Sequence, residues 1–533
     1  MRTFAEVLAA RSAERPGDPA YVFLGDGLNE SDRLTYRGLH ERAGRIAAAL
    51  APGARVLLLL PPGLDYIAAI FGCFEAGAVA VSAAPPTATR LDRVLPRLEA
   101  IAADAEVSVI VTDDAVRAFA EPHFKGEAEW IGLDSLPDAP VGTPGPEGVA
   151  FLQYTSGSTA APRGVMLTHE NLLTNCRSLI SAFGTGPHSS VYSWLPPYHD
   201  MGLIGGLLHP MLAGAPCYTT SPITVLRRPM RWLEAISRHR VTFSGGPNFM
   251  YDLCVRRARD VEGLDLSCWE KAVNGAEPVR AATWRAFLEA FGPYGLREEA
   301  LTAAYGMAET TLLLTAADGL TVTSFDRDAL AEGKAVPGAG AELVSCGGTD
   351  ADHRIRIVDP ETGQPCTDGT CGEVWASGPS VAVGYWRGER FGEWIPTGDL
   401  GFVHEGGLYL TGRSKEVLIL NGVKHHPHDL ETLAETGEDL LRPHCSAAFQ
   451  TAGGSVALVA EVARGHEADD LSFVLAGIRE RVSAGAGVRV DAVVLVPARS
   501  VPKTTSGKIQ RLLTRERLLA GELKTIARQG EVA

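Results

Sequence analysis

The run Thr155-Ser156-Gly157-Ser158-Thr159-Ala160-Ala161-Pro162-Arg163-Gly164 packs hydroxyls, glycines and one cation into a short stretch. Such a loop can aim backbone N–H groups and hydroxyls at a cluster of anionic oxygens, with the Arg163 guanidinium adding positive charge. The apolar residues Val149 to Tyr154 before it read as a strand, and Asn171 to Ile180 after it read as a helix. Strand, small polar loop and helix make a phosphate-binding layout. The loop has no Gly-Lys-Ser or Gly-Lys-Thr, so it is not the Walker pattern. The competing reading is a flexible Ser/Thr/Gly linker, which seldom sits between a buried strand and an amphipathic helix.

Six more segments carry dense polar chemistry: Trp194 to Gly202 with His199 and Asp200, Ser244 to Phe249, Asn274 to Pro278, Tyr305 to Thr310, Pro396 to Leu400 followed by Gly412-Arg413, and Pro502 to Lys508. Most follow a strand-like run, where ligand sites of open α/β sheets collect.

The elements that must position them alternate strand and helix from Leu34 to about Thr315. Examples are strand Val56 to Leu60, helix Leu64 to Ala76 closed by Gly77, strands Val107 to Val111 and Lys271 to Asn274, and helices Arg228 to His239 and Pro278 to Phe291. Repeated βα units with apolar strands imply an α/β fold of largely parallel, helix-covered sheets. Beyond Thr315, short strands with turn signals (Arg354 to Val358, Gly372 to Ala376, Leu408 to Thr411) imply an antiparallel, barrel-like section. After Ser414 a small α+β unit is expected, closing on a helix from Ile509. The division is a large domain over residues 1–413, with an extra segment at about 323–347, and a small C-terminal domain over 414–533.

The chain has 533 residues, 45% of them hydrophobic and 21% charged, enough for several cores. Its net charge of −15 argues against nucleic-acid or anionic-membrane binding. Nine scattered cysteines fit reduced thiols and a cytoplasmic location. Neither a signal peptide nor a membrane-length apolar run is expected.

Together, and in this order, the segments resemble the adenylate-forming enzymes: acyl-CoA synthetases, nonribosomal-peptide adenylation domains and luciferases. The likeness runs from about Phe4 to Gln510. Trp194 to Gly206, Arg228 to Phe249, the Asn274-Gly275-Ala276-Glu277-Pro278 form and the stretch Ser324 to Gly347 resemble a fatty acyl-AMP ligase in particular.

The resemblance implies ATP and Mg²⁺ as cofactors. It implies a fatty acid substrate activated as an acyl adenylate, and transfer to the phosphopantetheine of an acyl carrier protein expected in trans. Thr155, Ser156, Gly157, Ser158, Thr159 and Arg163 would hold the β- and γ-phosphates, although relatives usually have glycine at Ala160 and lysine at Arg163. Tyr305, beside Gly306 and Met307, would stack on adenine, whose edge Asn274, Gly275 and Ala276 would line. Thr310 would reach the α-phosphate, Asp399 and Arg413 the ribose. Glu309 would be the Mg²⁺ ligand, a carboxylate shared with phosphate oxygens. Lys508 would bridge carboxylate and α-phosphate, with His199 nearby. Ser244, Gly245, Gly246, Pro247 and Asn248 would shape the acyl pocket, and Lys415 would be the hinge.

Structural alternatives exist for several of these: a core tyrosine for Tyr305, a first-turn glutamate for Glu309, a turn aspartate for Asp399 and a solvated loop lysine for Lys508. His425, His426 and His428 read as a polar helix start, not a metal site. Arg511 and Arg515 read as a solvated face. Two rival functions remain, an acyl-CoA synthetase using free CoA and a non-catalytic nucleotide or acyl-adenylate binder. The presence of Lys508, Glu309 and Asp399 argues against the second.

Overall fold

Uninterrupted apolar runs such as Arg55–Leu59 and Val149–Tyr154 assemble into two large sheets in a computed structural model. It describes residues 1–87, 91–136, 148–154, 162–258, 263–420, 423–451, 453–504 and 507–531. Thr155, Ser156, Gly157, Ser158, Thr159 and Ala160 lie outside the described residues.

One sheet has eight strands in the order Thr315–Ala316, Leu301–Tyr305, Lys271–Asn274, Phe243–Gly246, Val191–Ser193, Cys217–Thr219, Pro19–Leu24 and Glu30–Thr35. Its interior pairs are parallel, and only the two edge strands run antiparallel. The other sheet orders Glu129–Gly132, Val109–Thr112, Arg55–Leu59, Val79–Ser82, Val149–Tyr154 and Gly164–Thr168. The helix Leu64–Ala76 is buried over nearly its whole length and shares one core with both sheets. That is why its sequence is apolar all round and not amphipathic. Gly77, at φ +65°, closes it in the left-handed conformation that glycine adopts without penalty.

The structure departs from the sequence expectation at the polar loop. Gly164–Thr168 is a strand paired antiparallel to Val149–Tyr154, with Tyr154 opposite Gly164. The loop therefore joins two strands. The next helix, His169–Phe183, begins beyond the second strand with its own Thr168/Asn171 capping box, so its N-terminus does not open on the loop. Two further elements were not anticipated. The hairpin of Pro19–Leu24 and Glu30–Thr35 forms a sheet edge, and the strand Ala527–Gln529 follows the last helix.

Past Thr315 come a four-stranded antiparallel sheet, Arg354–Val358, Gly372–Ser377, Ile395–His404 and Gly407–Arg413, and a ribbon of Val322–Phe325 with Ala341–Val344. The ribbon and the short helix Arg327–Ala331 make up the extra segment. The helix starts only at Arg327 because the Asp326 carboxylate accepts from Ala329 N and caps it there. Phe325 is fully buried against Phe402 and Tyr409. Arg285 grips Glu342 through both terminal nitrogens at 2.5 and 2.6 Å, and Arg327 Nη1 donates to Gly485 O at 3.1 Å. The segment thus touches the helix Ala281–Phe291, the antiparallel sheet and the C-terminal unit together.

In the C-terminal unit a four-stranded sheet carries two cores on opposite faces. Ala448, Leu458 and Ala460 pack towards the helices Pro427–Glu435 and Ser472–Ala486, and Ala447, Phe449 and Val459 face Val501 and Leu523. This is the period-2 alternation of a sheet covered on both sides. Arg511 is not a solvated cation. It is half-buried, bonded twice to Glu431 at 2.7 Å and once to Glu416 at 2.6 Å. Arg515 Nη1 turns back to Gln450 O at 3.4 Å. Among the described residues no helix is long and apolar enough to cross a membrane.

Glu75, on the long buried helix, is 6% exposed, and neither carboxylate oxygen has a hydrogen-bond partner among the described residues. Burial pushes its carboxyl up to about 8. His40 Nε2 lies 3.5 Å away, but burial holds that imidazole below its usual range, so it supplies little charge at neutral pH. An acid raised on folding contributes stability below its unfolded value and loses it as pH climbs through the folded one. Glu75→Gln is therefore expected to gain on the parent by about 2 kcal/mol between pH 6 and pH 8. Chemical denaturation at the two pH values measures this, and a constant difference would contradict the reading.

Candidate functional site

The strand Leu301–Tyr305 ends at the cleft that the eight-stranded sheet shares with the antiparallel sheet and the C-terminal unit. Tyr305 is its last residue. In the antiparallel sheet the register sets Asp399 directly opposite Arg413. Tyr305 Oη donates to Asp399 Oδ2 at 2.7 Å, and Arg413 Nε donates to Asp399 Oδ1 at 2.9 Å. Asp399 raises the Arg413 guanidinium, and burial, aided by Asp399, raises the Tyr305 phenol. Both partners thus keep their protons and hold the carboxylate by charge-assisted bonds.

Lys508 enters the same cleft from the C-terminal unit. Its ammonium is shifted down first by burial and then by Arg413, while Asp200, Asp399 and Glu277 pull it up. The three carboxylates come from three different segments. Glu277 Oε1 also accepts from Phe249 N at 2.6 Å, joining the Asn274 to Pro278 turn to the helix Asn248–Arg256. The cleft encloses about 2080 Å³, and its wall includes Phe249, Ala276, Tyr305, Asp399, Arg413 and Lys508.

Glu309 sits one turn past Tyr305. Tyr385 Oη donates to its Oε1 at 2.8 Å, and the Arg163 guanidinium lies over the Tyr385 ring, 5.3 Å from the centroid. Burial is the main cause raising the Glu309 carboxyl, and Asp200 adds to it. A hard, half-buried carboxylate held up by burial and a neighbouring carboxylate gains most from a cation, so the donor set fits a magnesium ion. Arg163 is thereby linked to the Glu309 side of the cleft.

Backbone geometry explains the small residues. A Cβ on Gly306 would stand 1.6 Å from Leu312 O, so only glycine passes there. Ala276 faces the cleft with φ +70°, a strained conformation for a residue with a side chain and one that collects at functional sites. A Cβ on Gly246 would meet Trp194 at 2.8 Å, and one on Gly245 would meet Val273 O at 2.7 Å.

The structure brings Tyr305, Gly306, Glu309, Asp399, Arg413, Ala276 and Lys508 to one place. His199 and Met307 are half-buried beside this group, in the segments of Asp200 and Glu309. Other expected residues stay behind the surface. Thr310 is 0% exposed, its hydroxyl donating to Met307 O within its own turn. Ser244 accepts from Trp232 Nε1 and donates to Tyr192 O. Asn248 holds Arg280 N and Thr283, and Asn274 donates to Asn248. These act as supports of the wall. Gly275 and Pro247 are buried, and Lys415 is exposed in the turn after Arg413.

Asp200, Glu277 and Tyr385 were missed. The first two stood inside quoted segments, and their carboxylate chemistry beside His199 and Ala276 was a usable signal; Tyr385 had none. Among the described residues no group of three or more His, Cys, Asp or Glu could hold a metal, and His428 pairs with Asp429 at 3.2 Å at the helix start.

A family model of AMP-binding enzymes matches residues 8–386, and one described as the AMP domain of Disco-interacting protein 2-like proteins matches residues 415–528. The medium-chain-fatty-acid–[acyl-carrier-protein] ligase JamA of Moorena producens is 41% identical, over 98% of this chain and 96% of its own. The long-chain-fatty-acid–AMP ligase FadD23 of Mycobacterium tuberculosis is 36% identical, over 93% of each chain. A solved structure from a study of fatty acyl-adenylate ligases of E. coli and L. pneumophila superposes with a TM-score of 0.90 at 32% identity, over 98% of each chain. An L. pneumophila fatty acyl-adenylate ligase in complex with acyl adenylate and pyrophosphate superposes at 0.76 with 34% identity, over 99% of this chain and 98% of that one. The fold is that of an adenylate-forming enzyme. Within that class, the chain belongs to the fatty acyl-AMP ligases.

Asp399→Asn keeps the shape of the side chain and removes its charge. ATP affinity is expected to fall about tenfold or more, the scale of losing charge-assisted hydrogen bonds. Thermal stability should fall little, because the Arg413 side chain is 56% exposed and water can solvate it. Calorimetric ATP titration beside a thermal scan checks both. A large fall in Tm with ATP affinity intact would make Asp399 a turn residue only.

Proposed function

We propose that this protein activates a medium- or long-chain fatty acid with ATP and Mg²⁺, and passes the acyl group to the phosphopantetheine thiol of an acyl carrier protein supplied in trans. The observation that carries this is that Lys508, Asp399, Arg413 and Tyr305, from separate parts of the chain, line one cleft. In the first step a carboxylate oxygen attacks the α-phosphorus of ATP. The new O–P bond forms as the bond to pyrophosphate breaks. Both reactants are anions, so the site must hold positive charge where negative charge develops.

Lys508 meets that need, with its ammonium against the entering carboxylate and the α-phosphate. Asp399 accepts from the ribose hydroxyls, with Arg413 and Tyr305 fixing its orientation, and Tyr305 and Ala276 flank the base. Thr155, Ser156, Ser158, Thr159 and Arg163 hold the leaving phosphates. Glu309 would hold a magnesium ion, which would supply positive charge against the phosphates. Gly245 and Gly246, packed closely against Val273 and Trp194, shape the wall of the acyl pocket. In the second step the thiolate sulfur attacks the acyl carbon and AMP leaves. Residues 1–413 and 414–533 act as two domains joined at Lys415. The medium-chain carrier-protein ligase and the long-chain AMP ligase among the relatives support the substrate class and the acceptor.

Lys508→Ala is expected to lower acid-dependent pyrophosphate exchange by at least about a hundredfold, the scale for losing a transition-state charge contact. Transfer from supplied acyl adenylate should suffer less, since the lysine serves the phosphoryl step. Equal loss in both half-reactions would contradict its role.

The acceptor is tested separately. At matched thiol concentration a phosphopantetheinylated carrier should be acylated well and free CoA poorly. Efficient acyl-CoA formation by the intact protein would make it a CoA synthetase. The ribbon segment, tied to Gly485 through Arg327, is the candidate restraint on the small domain. If a folded deletion of it gains CoA activity, that restraint excludes CoA. If nothing is gained, the barrier lies in the CoA path.

A further inference from the structure

His444 occupies a strained position. It lies in the strand Leu441–Gln450 at the break in register between Leu441 and Ser446, with φ +55°. A non-glycine residue keeps that conformation only where its surroundings impose it. Here they do so from both sides. Glu435 accepts from His444 N at 2.8 Å and from Cys445 N at 3.1 Å. Lys503 Nζ donates to His444 O at 2.7 Å. The clamped backbone directs the imidazole out of the C-terminal unit, and Nε2 lies 3.0 Å from Asp252 Oδ2 on the helix Asn248–Arg256. Asp252 also accepts from Arg256 Nε at 2.6 Å. Burial would raise the Asp252 carboxyl, yet the bonds from His444 and Arg256 outweigh it and hold it below its usual range.

Lys503 belongs to the loop that carries Lys508. The base of that loop is tied down, with Val501 N donating to Glu461 Oε1 at 2.9 Å. Its two ends are closed on each other by a bridge between Lys503 and Ile509 and by Thr504 N donating to Lys508 O at 2.8 Å. Gly507, next to Lys508, packs on Phe249, where a Cβ would stand 3.4 Å from the ring. Phe249 and Asp252 share one helix. The path from the large unit to the reacting ammonium thus runs from Asp252 through His444 and Lys503 to the loop.

We propose that His444, docked on Asp252, is a positioning residue for adenylation that holds the Lys508 loop in the cleft. The proposal rests on the adenylate-forming role given to Lys508. Nothing in the acyl-transfer step calls on this contact, because that step does not use the lysine. A misplacement of about 1 Å at a reacting group can cost on the order of a hundredfold in rate, so a contact remote from the chemistry can still govern it.

The test uses His444→Asn, which tolerates the left-handed backbone but cannot reach Asp252, and Asp252→Ala and Asp252→Asn from the opposite side. Acid-dependent pyrophosphate exchange and transfer from supplied acyl adenylate are measured on each folded variant. His444→Asn and Asp252→Ala should each lower the exchange turnover by about tenfold or more, with KM for ATP and the transfer rate near those of the parent. The double variant should be no worse than the more impaired single variant, because both remove one contact. Asp252→Asn keeps an accepting oxygen and should recover part of the loss. Unchanged exchange in the variants overturns the proposal, as does equal loss in both half-reactions or strict additivity. Absence of acid-dependent exchange in the parent protein would instead overturn the adenylating function itself.

Discussion

Bringing the Lys508 ammonium and the Arg413 guanidinium into one cleft is the constraint on which the site depends. Two like charges in a partly desolvated space repel, and burial adds to the penalty on the lysine. Asp200, Asp399 and Glu277 offset this from three different segments. The resulting site fixes two cations among three carboxylates before any substrate arrives. It is suited to reactants that are both anions, because a pre-set field needs no reorganisation during the reaction.

Each carboxylate has a structural hold as well as an electrostatic task. Asp399 is fixed by strand register against Arg413 and by the Tyr305 hydroxyl. Glu277 is fixed by Phe249 N at the start of the helix that also carries Asp252. Glu309 is fixed by Tyr385. The helix Asn248–Arg256 is therefore a shared wall. Its first turn lines the cleft, and its later turns receive the C-terminal unit. The Arg511 cluster, which ties Glu416 beside Lys415 to Glu431, gives the C-terminal unit a rigid base at the point where the chain enters it.

Much was legible in the chain. The helix Leu64–Ala76 and the strands Val149–Tyr154 and Lys271–Asn274 have the bounds that their apolar runs and the Gly77 stop imply, because burial on both faces demands continuous hydrophobicity. The segments bearing Tyr305, Glu309, Asp399 and Lys508 could be picked out by residue type alone. The strand Gly164–Thr168 could not, since its five residues look the same as the lead-in to a helix until Val149–Tyr154 is there to pair with it. The edge hairpin at Pro19–Leu24 and the closing strand Ala527–Gln529 escaped for the same reason, their identity lying in the partner strand.

The sequence by itself determined the class of fold, the order of the reactive segments and the chemistry each could offer, because these follow from local periodicity and from side-chain type. The tertiary structure alone decided which groups share a space. It turned Arg511 from a surface cation into the centre of a half-buried ion cluster, and withdrew Thr310 and Ser244 into the wall. It also brought Asp200 and Glu277 to Lys508 and set His444 against Asp252. Charges separated by hundreds of residues act on one another only at distances of a few ångströms, and those distances are properties of packing, which no stretch of chain specifies alone.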